Sequence, residues 1–269
     1  MNRLTPLVRS SLVSLSRFDH PAEETHRDPR EEVSCDYSVN FLEHGCFALT
    51  IGRRHWQLTP GMLFVTYPGL VYRCRHFEGR PTDICLSVSY SSRLANEILQ
   101  TTRSGMRALY QIARPTNRLA YLRLCLTQGA AIGGAPLAIE TLAGELWAAT
   151  DDQTSTAKLF KSHQLAWYRE RINAVRSLLE EQYEEPQSLA SLARTVGMSP
   201  FHFARVFREL AGMPPHRYLL KVRLRRAAER LREGASVTTT CFAVGFNNLS
   251  HFIRLFRRTF GVSPSSFVR

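Results

Sequence analysis

Two stretches near the C-terminal end set arginines in the same places relative to phenylalanine. One is Phe203-Ala-Arg-Val-Phe-Arg208; the other, 49 residues later, is Phe252-Ile-Arg-Leu-Phe-Arg257. An arginine fork can pair with the O6 and N7 edges of guanine, and it also neutralises phosphate. On one helix such arginines would be read as a solvated face. Two helices with matched arginines on an acid-poor segment favour a polyanionic partner.

Periodicity shows what must hold these side chains. Phe203, Val206, Phe207 and Leu210 share one helical face, which must be core. Phe201, Ala204, Arg205 and Arg208 turn away from it. In the second copy Phe252, Leu255, Phe256 and Phe260 form the inner face, and Ser250, Ile253, Arg254 and Arg257 look outward. Ser199 caps the first helix with Pro200 at its first position, and Asn247 or Asn248 caps the second. A short helix and a turn at Gly197 or Gly245 precede each, so each copy reads as a helix-turn-helix. Residues 215–232 read as a connecting helix with Tyr218, Leu219, Val222, Ala227 and Leu231 buried. Lys221, Arg223, Arg225, Arg226, Arg230 and Arg232 cover much of the rest. A rigid connector would hold two heads about 34 Å apart, one turn of duplex.

Charge agrees with this layout. From Pro186 onward there are 14 Lys/Arg against 3 Asp/Glu, while the first 185 residues hold 21 against 20. Nearly all of the net charge of +12 therefore sits on the repeat. No run of 18 apolar residues suggests a membrane span. The arginine-studded start is a poor secretory signal. The six cysteines form no Cys-x-x-Cys pair, so a zinc ribbon is not indicated. Free thiols in a reducing cytoplasm are the simplest expectation.

The remainder divides into an irregular segment (1–32), a β-rich region (33–115) and a helical segment with linker (116–160), ahead of the repeat domain (165–269). Strands are predicted at 37–42, 46–51, 55–58, 63–67, 71–76 and 84–90, separated by Gly and Pro turns. Helices are predicted at 117–128, 136–149 and 167–183, with the polar run 151–156 as linker. The fold class is α+β: an N-terminal sandwich or small barrel with helices, then an all-α domain of two helix-turn-helix units.

From about Ile172 to Arg269 the chain closely resembles the DNA-binding domain of AraC/XylS-family bacterial transcription regulators. The carriers are Val196-Gly-Met-Ser199, Gly212-x-x-Pro215, Arg223-x-x-x-Ala227-x-x-x-Leu231, Val244-Gly-Phe246 and His251-Phe252-x-Arg254-x-Phe256-Arg257. The resemblance implies base contacts from Phe201, His202, Ala204 and Arg205 in one head and from Leu249, Ser250, His251 and Arg254 in the other. Arg208 and Arg257 join them on the same faces. It implies double-stranded DNA and RNA polymerase as partners, with room for a small-molecule effector and a homodimer. No cofactor, catalytic residue or enzymatic activity is expected, and the location is the cytoplasm, at the nucleoid. Thr240 and Cys241 depart from the usual bulky Ile and small Ala, which singles out the packing of the second unit. Ala204 is too short to hydrogen-bond a base.

Residues 58–69 resemble a cupin strand–turn–strand segment, which implies a cupin-like sensor barrel with a helical dimerisation segment. Arg53, His55, Trp56, Tyr67, Tyr72 and Arg73 would line its ligand site. His44, His55 and His76 lack a His-x-His pairing, and strand-edge histidines are the more economical reading than a metal site. The competing function is a cupin metalloenzyme with a nucleic-acid-binding tether.

Overall fold

In the computed structural model, residues 3–19, 31–77, 83–101, 111–150 and 158–267 are described. The chain divides into two units, Met1–Lys161 and Ser162–Arg269. The first contains strands β1 (Arg3–Arg9), β2 (Val13–Asp19), β3 (Glu32–Val33), β4 (Tyr37–His44), β5 (Phe47–Ile51), β6 (Arg54–Leu58), β7 (Leu63–Thr66), β8 (Val71–His76) and β9 (Ile84–Tyr90). Helix α1 (Ser92–Thr101), strand β10 (Gln111–Ala113) and helices α2 (Asn117–Ala131) and α3 (Pro136–Thr150) follow. The strands form a six-stranded sheet, β1-β2-β9-β4-β7-β10, and a four-stranded sheet, β3-β8-β5-β6. Their inner faces contribute Leu42, Phe47, Leu49, Leu58, Phe64 and Cys85 to one core.

The opening segment is not irregular where it is described: residues 3–19 build two paired strands of the larger sheet. Val13 and Leu15 alternate inward on β2, while β1 is an edge strand. An edge tolerates Pro6, and the register shifts between Pro6 and Val8 as a bulge does. The proposed linker at 151–156 lies outside the described residues.

Helices α2 and α3 are tied to the larger sheet by specific contacts. Trp147 packs edge-on to Tyr90 at 4.7 Å, and the Tyr90 hydroxyl donates to the Ala143 carbonyl at 2.8 Å. Glu43 of β4, nearly buried, accepts from Arg17 of β2 at 2.9 Å and from Arg123 of α2 at 2.6 Å. Two cations offset the desolvation of that carboxylate.

The second unit is all helix: α4 (Ser162–Glu181), α5 (Leu189–Thr195), α6 (Pro200–Ala211), α7 (Pro215–Arg232), α8 (Val237–Ala243), α9 (Leu249–Phe260) and α10 (Pro264–Phe267). Phe203, Val206, Phe207 and Leu210 are fully buried, as their spacing requires. In α9, Phe252 and Phe256 are fully buried, and Leu255 and Phe260 are partly so. Phe256 meets Phe260 at 4.5 Å and Phe267 at 5.2 Å, which closes the small core beneath the second head. Each fully buried ring contributes about 1.5–3 kcal/mol.

Thr240 is a flaw in that core. It is fully buried, and its Oγ1 has no hydrogen-bond partner among the described residues. Val has nearly the same shape and no hydroxyl to desolvate. Thr240→Val is therefore expected to stabilise the chain by about 1 kcal/mol, seen as a higher urea midpoint at unchanged slope. A lower midpoint would mean that the hydroxyl is satisfied after all.

Candidate nucleic-acid interface

The two second helices of the repeat, α6 and α9, start on side-chain caps. Ser199 accepts from the His202 N–H at the head of α6, and Asn248 accepts from the His251 N–H at the head of α9, at 2.8 Å. Asn248, not Asn247, is thus the cap. With the phenylalanines inward, α6 presents Phe201, Arg205 and Arg208 to solvent, and α9 presents Ser250, Ile253, Arg254 and Arg257. Phe201 is 83% exposed, an extreme value for a ring with nothing to cover it. His202, Ala204, Leu249 and His251 sit at the margins, partly buried. Sequence-predicted contacts therefore converge on one face of each helix, with these four at its edge.

The basic residues sort into two groups. Some are consumed inside the unit. Arg171 stacks over Trp167 at 3.5 Å and donates to the Val196 carbonyl. Arg176 donates to the Tyr218 hydroxyl, which donates in turn to Glu180, and Glu180 pairs with Arg225. Arg226 pairs with Glu229 at 3.2 Å. Arg223 donates to three backbone carbonyls: Tyr183 and Gly245 at 2.7 Å, and Glu185 at 3.0 Å. Burial lowers its pKa below the ordinary guanidinium value. The expectation that Arg223 forms part of the charged cover of α7 is thereby corrected. Its position announces this: four residues after Leu219 and four before Ala227, it lies on the apolar stripe. The second group, Arg205, Arg208, Arg254 and Arg257, is exposed and faces no carboxylate at ion-pair distance among the described residues. These four are available to a polyanion.

In the first unit, Arg53, Tyr67, Tyr72 and Arg73 line a common cavity of about 620 Å³ together with Arg54 and Glu31. Arg73 is paired to Glu31 at 2.7 Å. His55 and Trp56 do not belong to that lining. His55 is exposed, 2.9 Å from Thr50 Oγ1, and Trp56 packs on the inter-sheet core. A smaller cavity of about 120 Å³ lies between the sheets, beside Tyr72, Cys74, His76, Asp83 and Cys85. His76 Nε2 is 2.8 Å from Asp83. Burial, reinforced for Cys74 by Glu32 and for Cys85 by Asp83, pushes both thiols up and keeps them protonated. His44, His55 and His76 stand on three different strands. Among the described residues the cysteines form no disulfide. Among the described residues no helix is long and apolar enough to cross a membrane.

The second unit is similar in sequence to known helix-turn-helix proteins. Residues 192–269 match the family model described as a helix-turn-helix domain. The bifunctional transcriptional activator/DNA repair enzyme Ada of Escherichia coli K12 is 40% identical over 90 residues, 34% of this chain and 25% of Ada. YbfI of Bacillus subtilis 168, an HTH-type transcriptional regulator, is 24% identical over 221 residues, 80% of this chain and 78% of its own. A solved structure from Chromobacterium violaceum, a transcriptional regulator of the class with AraC-type DNA-binding domains, is 31% identical. It covers 38% of this chain and 93% of its own, with a TM-score of 0.36. The chain spans between 25% and 34% of the length of the first curated relatives it matches.

Proposed function

We infer that this chain, which belongs to the AraC family of transcription regulators, binds double-stranded DNA sequence-specifically with two unlike reading helices. The observation that carries the inference is the pair of capped helices whose outward arginines face no carboxylate among the described residues, while other arginines of the unit are consumed internally. From α6 the readers are Phe201, Ala204, Arg205 and Arg208; from α9 they are Leu249, Ser250, His251, Arg254 and Arg257. Arg205 and Arg254 take base edges, and Arg208 and Arg257 take phosphate. Phe201 and Ala204 offer apolar contact, which suits a thymine methyl group. The two heads occupy successive major-groove segments about 34 Å apart, with RNA polymerase as the neighbouring partner.

The first unit supplies the control. We read its two sheets as a cupin-like barrel, the 620 Å³ cavity with Arg53, Tyr67, Tyr72 and Arg73 as its small-ligand site, and α2 and α3 as a homodimer surface. A concave site with a few convergent polar groups is the usual form of such a pocket.

Arg205→Ala and Arg254→Ala are each expected to cost about 1–3 kcal/mol of specific binding and to relax preference at different base positions. Selection from a randomised duplex library with wild type and both variants checks this. Unchanged preference in both variants would overturn the assignment. A strong salt dependence with no preferred sequence would instead indicate a non-specific DNA binder.

A further inference from the structure

Tyr168, on α4 and outside the helix-turn-helix pattern, reaches the first reading helix. Its hydroxyl lies 3.1 Å from His202 Nε2, with the two rings edge to face at 5.6 Å. His202 Nδ1 in turn lies 3.4 Å from Arg205 Nη2. A guanidinium has only donors, so Nδ1 must accept; the ring proton then sits on Nε2 and is donated to the Tyr168 oxygen. Both imidazole nitrogens are engaged inside the protein. Helix α4 is itself tied nearby, by Arg171 donating to the Val196 carbonyl in the turn before α6 at 3.2 Å.

The second head differs. His251 has the matching place on α9, but its ring meets Phe246 edge to face, at 6.1 Å. Its ring nitrogens have no hydrogen-bond partner among the described residues.

We propose that Tyr168 and His202 form a positioning relay that pre-sets Arg205, so that His202 acts through Arg205 and not on a base, and Tyr168 helps to determine specificity. An arginine held in its reading geometry loses less side-chain freedom on binding and discriminates more sharply. The proposal rests on the reading of α6 as a DNA-contacting helix.

The test is library selection and salt-titrated binding by the full chain as wild type, Tyr168→Phe, His202→Ala and Arg205→Ala. Tyr168→Phe and His202→Ala are expected to lose about three- to tenfold of base discrimination at the same positions that Arg205→Ala relaxes. Preference at positions read by Arg254, the salt slope and the unfolding temperature should stay at wild-type values. A merely structural role would lower both heads together, which would overturn the relay. Wild-type preference in Tyr168→Phe beside a relaxed Arg205→Ala would also overturn it. So would a His202→Ala change at a base position distinct from that of Arg205. An Arg205→Ala profile identical to wild type would overturn the underlying assignment of α6, and the relay with it. Should Tyr168→Phe fold poorly, His202→Ala carries the comparison.

Discussion

Gly245→Ala is expected to destabilise the second unit by about 3–5 kcal/mol, whereas Gly197→Ala costs about 1–2 kcal/mol. The two glycines look equivalent in the repeat, and both turns use the left-handed region, with φ of 65° at Gly197 and 84° at Gly245. That strain is common to both. Their surroundings are not. A Cβ on Gly197 meets nothing within 4 Å. On Gly245 it would lie 2.5 Å from the Glu184 carbonyl oxygen and 2.8 Å from Arg223 Nη2. The first obstacle is backbone, and the second is held by its own hydrogen bonds, so neither yields cheaply. Thermal and urea unfolding of both variants measures the contrast. Equal losses would mean that the turn at Gly245 relaxes, and that the close approach has no energetic weight.

How much of this was legible in the sequence depends on the kind of interaction. The faces of α6 and α9 follow from spacing alone, because burying Phe203 and Phe207 leaves Arg205 and Arg208 outside by helix geometry. Strands β4 to β9 were legible because their hydrophobic runs end at Gly and Pro. Strands β1 and β2 were not: β1 is an edge strand with Pro6 and arginines, and the inward alternation on β2 stops at Leu15, too short a run to stand out. The cavity lining was half legible. Arg53, Tyr67, Tyr72 and Arg73 come together at one cavity, whereas His55 turns to Thr50 and Trp56 to the inter-sheet core, through cross-strand contacts that spacing alone does not show. Tyr168 was invisible, because its contact depends on how α4 packs against α6.

Arg223→Met should cost about 2–4 kcal/mol, since it removes the partner of three carbonyl groups while keeping most of the side-chain volume. These carbonyls belong to Tyr183 and Glu185, after α4, and to Gly245 in the turn before α9. One guanidinium thus fixes the turn that aims the second reading helix. Arginine stays charged here even though burial lowers its pKa, and its planar fork can serve several acceptors at once. Lysine cannot span them, so Arg223→Lys should recover only part of the loss. The functional consequence is asymmetric: base preference from Arg254 and His251 should blur, while that from Arg205 persists. Library selection with Arg223→Met and Arg223→Lys reads this directly, and full retention of the second head's preference would reject the role. Combination with Gly245→Ala adds a sharper criterion. Removing the guanidinium relieves one of the two clashes at residue 245, so the double variant should lose less than the sum of the singles. The Glu184 carbonyl remains in the way, so it should still be less stable than Arg223→Met alone.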